Sequence, residues 1–184
     1  MMRKGEMSSM KIVPGYGQPQ EVVSLFTEYT EMLKAGEPAF REYLEIQHYD
    51  EELEHPERKY APPAGRLYLA YAAPNEVMKA GAAQTGGMTE EVVAGCIAFR
   101  KLDDERCEMK RLYVRPEFRG RKIGSRLIEQ VIADAKEEGY KSMLLDTLPF
   151  LKSALALYKA YGFYEIPCYN DSPLLASIYL KLDL

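Results

Sequence analysis

"YVRPEFRGRKIGSRLIEQVIADA", Tyr113 to Ala135, holds a strand end, a basic loop and the start of a helix in one stretch. Ile123, Leu127, Ile128, Val131, Ile132 and Ala135 form one apolar stripe, which predicts a helix from about Gly124 to Glu138. Between strand and helix the chain gathers cations. Lys110, Arg111, Arg115, Arg119, Arg121, Lys122 and Arg126 are opposed between Lys110 and Arg126 only by Glu117. A helix N-terminus offers unpaired N–H groups and about half a positive charge. Gly120 and Gly124 place no Cβ between a bulky ligand and those amides. Such a loop suits a pyrophosphate. A solvated basic loop explains the same residues.

Outward from this stretch the elements alternate. Downstream, Gly139 stops the helix, "KSMLLDT" is a short buried strand, and "LKSALALYKAYG" is a helix ended by Gly162. "FYEIPCY" and "ASIYLKLDL" are closing strands. Upstream, "EVVAGCIAFRKL" and "ERCEMKRLYVRP" are strands joined by the turn "DDE", and residues 74–90, with Gly81, Gly86 and Gly87, read as a hairpin loop. "RLYLAYAA" is another strand. "FREYLEIQHYDEELEHPER" reads as an acidic helix ended by Pro56, and "QEVVSLFTEYTEMLKAG" as a helix with Val22, Leu25, Phe26, Tyr29, Met32 and Leu33 on one face. "MKIVPG" opens the order as a strand stopped by Pro14 and Gly15.

A helix between Val114 and Leu144 predicts a parallel pair, because parallel strands need a crossover. The hairpin-linked strands before it predict antiparallel neighbours. The expected fold is therefore α/β (α+β). It has a mixed, mostly antiparallel central sheet of about six or seven strands with one parallel β-α-β pair, flanked by about four helices. At 184 residues it is read as a single domain over 1–184.

Composition narrows the function. Hydrophobic residues make up 47% and charged residues 28%, enough for a core and against disorder. No apolar run reaches the ~18 residues of a membrane helix, and the start "MMRKGEMSSMKIVPG" lacks the apolar segment of a secretory signal. Cys96, Cys107 and Cys168 are scattered, which suggests reduced thiols and a cytoplasmic location. His48 and His55 lack neighbouring cysteines, so no metal is expected. The loop has neither G-x-x-x-x-G-K-[ST] nor G-x-G-x-x-G. Aromatic and basic residues do not interleave, and the net charge is −4, both against a nucleic-acid surface.

"YVRPEFRGRKIGSRLIEQVI" resembles the acetyl-coenzyme A loop of the GNAT superfamily of N-acetyltransferases, R/Q-x-x-G-x-G/A, with Arg119 first and Gly124 last. Lys122 stands where the pattern usually has glycine. "ALALYKAYGF" is similar to the family's A-x-x-L-Y-x-x-x-G-F segment, with Leu151 where an asparagine often precedes it. The resemblance is specific over residues 92–164 and loose over the first 70. It implies acetyl-coenzyme A as cosubstrate, no metal, and direct acetyl transfer to an amine. It places the cofactor-binding core at about 92–164 and acceptor-side helices at about 20–58.

The implied cofactor contacts are Leu112, Tyr113 and Val114 on the strand, then Arg119, Gly120, Arg121, Lys122, Ile123, Gly124 and Ser125 in the loop and helix start. An amide-rich pantetheine arm would add to an open strand edge, and a strand N–H could polarise the thioester carbonyl. The leaving thiolate needs an acid that keeps its proton at neutral pH. Tyr158, a phenol of ordinary pKa ~10, is implied by analogy, although Ala154, Leu157, Tyr158 and Tyr161 also read as a packed helix face. The resemblance also suggests Glu108 as general base acting through water, with a plain edge glutamate as the rival reading. Alternation puts Glu108, Lys110, Leu112 and Val114 on one face, unless a bulge intervenes.

The acceptor is expected to be a small-molecule amine; an amino acid, an antibiotic or a protein N-terminus fits as well. Glu42, Glu45, Asp50, Glu51, Glu52, Glu54 and Glu57 form an acidic wall or a solvated helix face. Tyr43, Tyr49 and Tyr60 line a cleft or finish the core, and Tyr169, Asn170 and Asp171 rim a pocket or form a turn. Two rival functions stay open: a cofactor-binding regulatory module without turnover, and a nucleic-acid-binding domain. "ASIYLKLDL" could pair within the chain or across a homodimer.

Overall fold

The computed structural model describes residues 10–40, 44, 49–74, 91–170, 172 and 174–184. Its strands are β1 (Met10–Pro14), β2 (Arg66–Ala72), β3 (Val92–Lys101), β4 (Arg106–Val114), β5 (Ser142–Thr147), β6 (Tyr164–Ile166) and β7 (Ile178–Asp183). The helices among the described residues are α1 (Pro19–Gly36), α2 (Tyr49–Glu54), α3 (Pro56–Tyr60), α4 (Ile123–Glu137) and α5 (Lys152–Ala160). All seven strands join one sheet in the order β1-β2-β3-β4-β5-β7-β6. Every pair is antiparallel except β4–β5, which α4 connects as the crossover requires.

That parallel pair is short, and its shortness builds the site. β4 meets β5 only at Arg106↔Ser142, Cys107↔Met143 and Glu108↔Leu144. Beyond Glu108, β4 stays paired with β3 while β5 follows β7 along its whole length. The sheet therefore splits into a wedge, and among the described residues β4 from Met109 to Val114 has a ladder on one side alone.

A bulge lies on the same stretch. Cys96 pairs with Tyr113 and Ala98 with Lys110, so Ile97 alone faces Arg111 and Leu112 together. Arg111 takes φ 60°, a left-handed conformation that costs an L-residue on the order of 1–2 kcal/mol. The extra residue reverses the alternation. Cys107 and Met109 belong to the same core cluster as Leu112 and Val114, whereas Tyr113 packs into the opposite one. The expectation that Glu108 shares a face with Leu112 and Val114 is thus corrected: before the bulge its parity is that of Arg111 and Tyr113 after it.

Each face of the sheet has its own core. On one, α4 lays Ile123, Leu127, Ile128, Val131 and Ala135 against Ile97, Phe99 and Met109. On the other, Val22, Leu25 and Phe26 of α1 meet Leu67, Leu69, Cys96, Ala98 and Tyr60. A smaller third cluster, Leu33, Phe40, Leu44, Tyr49, Leu148 and Leu174, covers the wedge.

Three local expectations change. Pro56 does not simply end a helix: α2 stops at Glu54, and Pro56 opens α3, where its missing N–H costs nothing. "FYEIPCY" yields only the three-residue β6, since Pro167 cannot donate to a ladder. With α2 and α3 separate, the described helices number five rather than about four. Most of the predicted hairpin loop, 75–90, lies outside the described residues.

Candidate active site

One cleft, of about 660 Å³, follows the open edge of β4 into the start of α4. Leu112, Tyr113, Val114, Arg119, Gly120, Lys122, Ile123, Gly124 and Ser125 line it, which brings together nine of the ten sequence-predicted cofactor residues. The tenth, Arg121, is turned away. Its guanidinium donates to the Ala73 carbonyl at 2.8 Å and stacks over Phe118 at 5.3 Å. Arg119 stays in the cleft, where its Nε reaches the Val114 carbonyl at 3.1 Å.

The amides at the helix start are available. No side chain caps α4, and the first helical bond runs from the Arg126 N–H to the Lys122 carbonyl. Among the described residues, no backbone bond outside the helices and strands uses the N–H groups of Gly120 through Ser125. Lys122 takes a left-handed conformation of the kind glycine adopts readily, with φ 60° and ψ 16°. Gly124 is needed for closeness instead: a Cβ there would come within 3.3 Å of Leu157.

A second cavity, of about 40 Å³, occupies the wedge between β4 and β5. Tyr29, Leu112, Leu151 and Tyr158 line both spaces, so the two meet at these side chains. Tyr158 projects there from α5, braced by Phe163 with ring centroids 5.7 Å apart. Burial first, then the neighbouring Tyr29 and Asp146, push its phenol well above the ordinary value, so it holds its proton at neutral pH. Leu151 puts an apolar side chain where the resemblance would place an amide.

The wedge cavity has apolar walls and a charged floor. Phe40, Leu145, Leu148 and Leu174 enclose it, while Lys110 and Asp146 meet at 3.0 Å. Glu108 is buried behind this pair and does not line either cavity. It accepts from Arg100 Nε at 2.7 Å and the Tyr169 hydroxyl at 2.7 Å, with Lys110 Nζ 3.7 Å away.

Arg111 lines the cavity from the bulge and is held by groups on the α1 face of the sheet. Its Nε donates to Glu52 at 2.5 Å, and its guanidinium lies over the rings of Phe26 and Tyr49 at 5.7 and 5.2 Å. Glu52 also accepts from Lys59 at 2.8 Å and the Tyr60 hydroxyl at 2.8 Å. Burial pushes the Glu52 carboxyl up, but Arg111 and Lys59 more than offset this and hold it at about 2.

The acidic wall therefore divides. Asp50, Glu51, Glu54 and Glu57 are exposed, as a solvated face requires, while Glu52 is buried in an ion network. Glu42, Glu45 and Tyr43 lie outside the described residues, as does Asp171. Tyr49 and Tyr60 finish the core. Sequence reasoning missed Asp146 and Tyr29. Asp146 had a signal: it is the one acidic residue in the buried strand "SMLLDT", near its carboxyl end, where open sheets keep their binding crevices. Among the described residues, no helix is long and apolar enough to cross a membrane.

Residues 37–163 match the model of the acetyltransferase (GNAT) family. An uncharacterised N-acetyltransferase of Schizosaccharomyces pombe is 37% identical over 142 residues, covering 77% of each chain. One from Dictyostelium discoideum is 30% identical, over 95% of this chain and 99% of its own. Among solved structures, an acetyltransferase from Streptococcus agalactiae superposes with TM-score 0.67 at 19% identity, covering 95% of this chain and 98% of that one. An N-acetyltransferase from Thermoplasma acidophilum in complex with coenzyme A gives TM-score 0.65 at 15% identity, over 96% and 99% of the two chains. With the family's model spanning the β4 edge, the basic loop and the Tyr158 helix, the chain belongs to the GNAT family of acetyltransferases.

Proposed function

We propose that this acetyltransferase moves the acetyl group of acetyl-coenzyme A directly to a primary amine on a small molecule. The observation that carries the reading is the β4 edge at Leu112–Val114, which has left β5 and runs into the uncapped amides of α4. That geometry suits a linear, amide-bearing arm ending in a diphosphate. Bound there, acetyl-coenzyme A supplies an activated thioester. The Thermoplasma neighbour was solved with coenzyme A, in keeping with this assignment.

The chain's own residues divide the work. Amides between Gly120 and Ser125 hold the diphosphate, with Arg119 and Lys122 adding positive charge. The Leu112–Val114 edge pairs with the arm and directs an N–H at the carbonyl as negative charge grows. Tyr158, protonated and buried where the two cavities meet, gives its proton to the departing thiolate. Phe40, Leu148 and Leu174 exclude water from the acceptor side.

Calorimetry tests the cofactor half of the reading. Coenzyme A should bind, and pantetheine, which lacks the diphosphate, should bind at least about 100-fold more weakly, ~2.7 kcal/mol. Equal affinity for the two, or heat from neither, would sink it. Release of free thiol from acetyl-coenzyme A with amines present then tests turnover.

A further inference from the structure

We propose that Asp146 receives the acceptor's ammonium group and takes its proton, with Glu108 as a positioning residue that draws Lys110 aside. The acceptor is then a primary amine carried on a short, unbranched carbon tether. The inference rests on the acetyl-transfer reading above and deepens it.

Lys110 Nζ lies 3.0 Å from Asp146 Oδ1 and 3.7 Å from Glu108 Oε1, so one ammonium stands between two carboxylates. A small shift toward Glu108 closes the longer contact and opens the shorter one. Lys110 and Asp146 line the cavity, while Glu108 lies behind them. An incoming ammonium can therefore meet Asp146 but not Glu108. A carboxylate offers about four lone-pair sites, more than one ammonium occupies. Glu108 gives Lys110, only 9% exposed, a second carboxylate to turn to when the acceptor's ammonium arrives.

The cavity's form defines the acceptor. About 40 Å³ is space for roughly three waters, which suits a CH₂–NH₃⁺ head and little more. Leu145, Leu148 and Leu174 beside it favour carbon next to the nitrogen and oppose a second charge there. Asp146 also sits close enough to Tyr158 for its charge to raise the phenol, so both proton-handling groups address one space.

The protons balance. Asp146 takes one from the ammonium, freeing the nitrogen lone pair. As the new C–N bond forms and the C–S bond breaks, Tyr158 protonates the thiolate. The nitrogen's next proton returns to the Tyr158 phenolate, and Asp146 releases its own to solvent. Facing Asp146 are Lys110, Glu108 and Arg111 of β4, Tyr158 of α5, Tyr29 of α1 and Tyr179, its cross-strand partner on β7.

The experiment follows thiol release from acetyl-coenzyme A with n-propylamine as probe, in the full chain. The wild type should turn it over at least about 10-fold faster than tert-butylamine. Asp146→Asn should lower kcat/KM at pH 7 by about 100-fold and leave coenzyme A affinity unchanged. That loss should shrink towards pH 10, where an amine of pKa near ~10.4 supplies its own free base. A merely structural role would not recover with pH. Glu108→Gln should raise KM with kcat within about 3-fold. Wild-type kcat/KM in Asp146→Asn at pH 7, a loss that persists at pH 10, or no turnover of n-propylamine by protein that binds coenzyme A would each overturn the proposal. Failure to bind coenzyme A would instead overturn the reading beneath it.

Discussion

On one side of Tyr158 the molecule presents main-chain atoms: the β4 edge where it has left β5, and the uncapped amides of α4. On the other it presents charged side chains, Lys110 against Asp146, and Arg111 anchored through Glu52. Main-chain recognition tolerates changes of side chain as long as φ and ψ are kept, and Lys122 in a glycine's conformation is the example. A site built from side chains has no such tolerance, because each charge depends on a partner from another element. The two halves should therefore respond differently to substitution.

The largest effect is expected from Glu52→Gln. Arg111 would be left as a buried cation without its carboxylate, a loss of about 3–5 kcal/mol in urea unfolding at pH 7. At low temperature the folded fraction should still bind coenzyme A within about 3-fold of wild type, since no cleft amide depends on Glu52. A parallel collapse of affinity would break the division into halves. Acid sharpens the same point. The folded Glu52 carboxyl sits at about 2 against an ordinary 4.5, so its contribution is complete above 4.5 and is lost as pH falls through that window towards 2. The wild type should lose about 3 kcal/mol of stability across it on this account, and Glu52→Gln should lack that part of the slope.

Tyr158→Phe acts where the halves join. With the hydroxyl gone but the ring still packed on Phe163, kcat should fall by about 100-fold while coenzyme A affinity holds. Single-turnover kinetics beside calorimetry checks both. An unchanged kcat would take the proton source away from Tyr158.

The same division decides what could be read from sequence. The turn from Arg119 to Gly124 was legible because its geometry is local: six consecutive residues specify the turn, the helix start and the absence of a Cβ. The α4 stripe and the crossover it implies were legible for the same reason, as was the mixed sheet. Lys110 and Asp146 are separated by 36 residues, and Glu52 and Arg111 by 59. Nothing local marks such pairs, and Glu52 reads like its exposed neighbours Glu51 and Glu54. The bulge was hidden differently. Its left-handed residue is an arginine, held by Glu52 and two aromatic rings, where a glycine would have signalled the conformation. The face of Glu108 turns on that bulge, which alternation alone does not reveal.

Gly124→Val probes closeness within the backbone-built half. The new side chain would crowd Leu157, 3.3 Å from the added Cβ, and stand where the diphosphate is proposed to approach. Coenzyme A affinity should drop about 10-fold, ~1.4 kcal/mol by calorimetry. Affinity within about 2-fold would move the diphosphate elsewhere along the loop.

The smallest effect should come from Lys122→Gly, and its smallness is the point. Glycine relieves the left-handed strain, worth on the order of 1–2 kcal/mol, but gives back about 0.4–1 kcal/mol through a freer unfolded chain. Stability should rise by no more than about 1.6 kcal/mol. Coenzyme A should bind less than about 5-fold more weakly, because one exposed cation is lost while every amide keeps its direction. Lys122→Val supplies the contrast. It loses the same cation, but a β-branched residue resists φ 60°, so the turn shifts and the amides shift with it. Affinity should then fall beyond that of the glycine variant, by calorimetry under the same salt. If the two variants lose affinity equally, the lysine charge and not the backbone carries the contact, and the contrast between the halves fails at the loop where it is most direct.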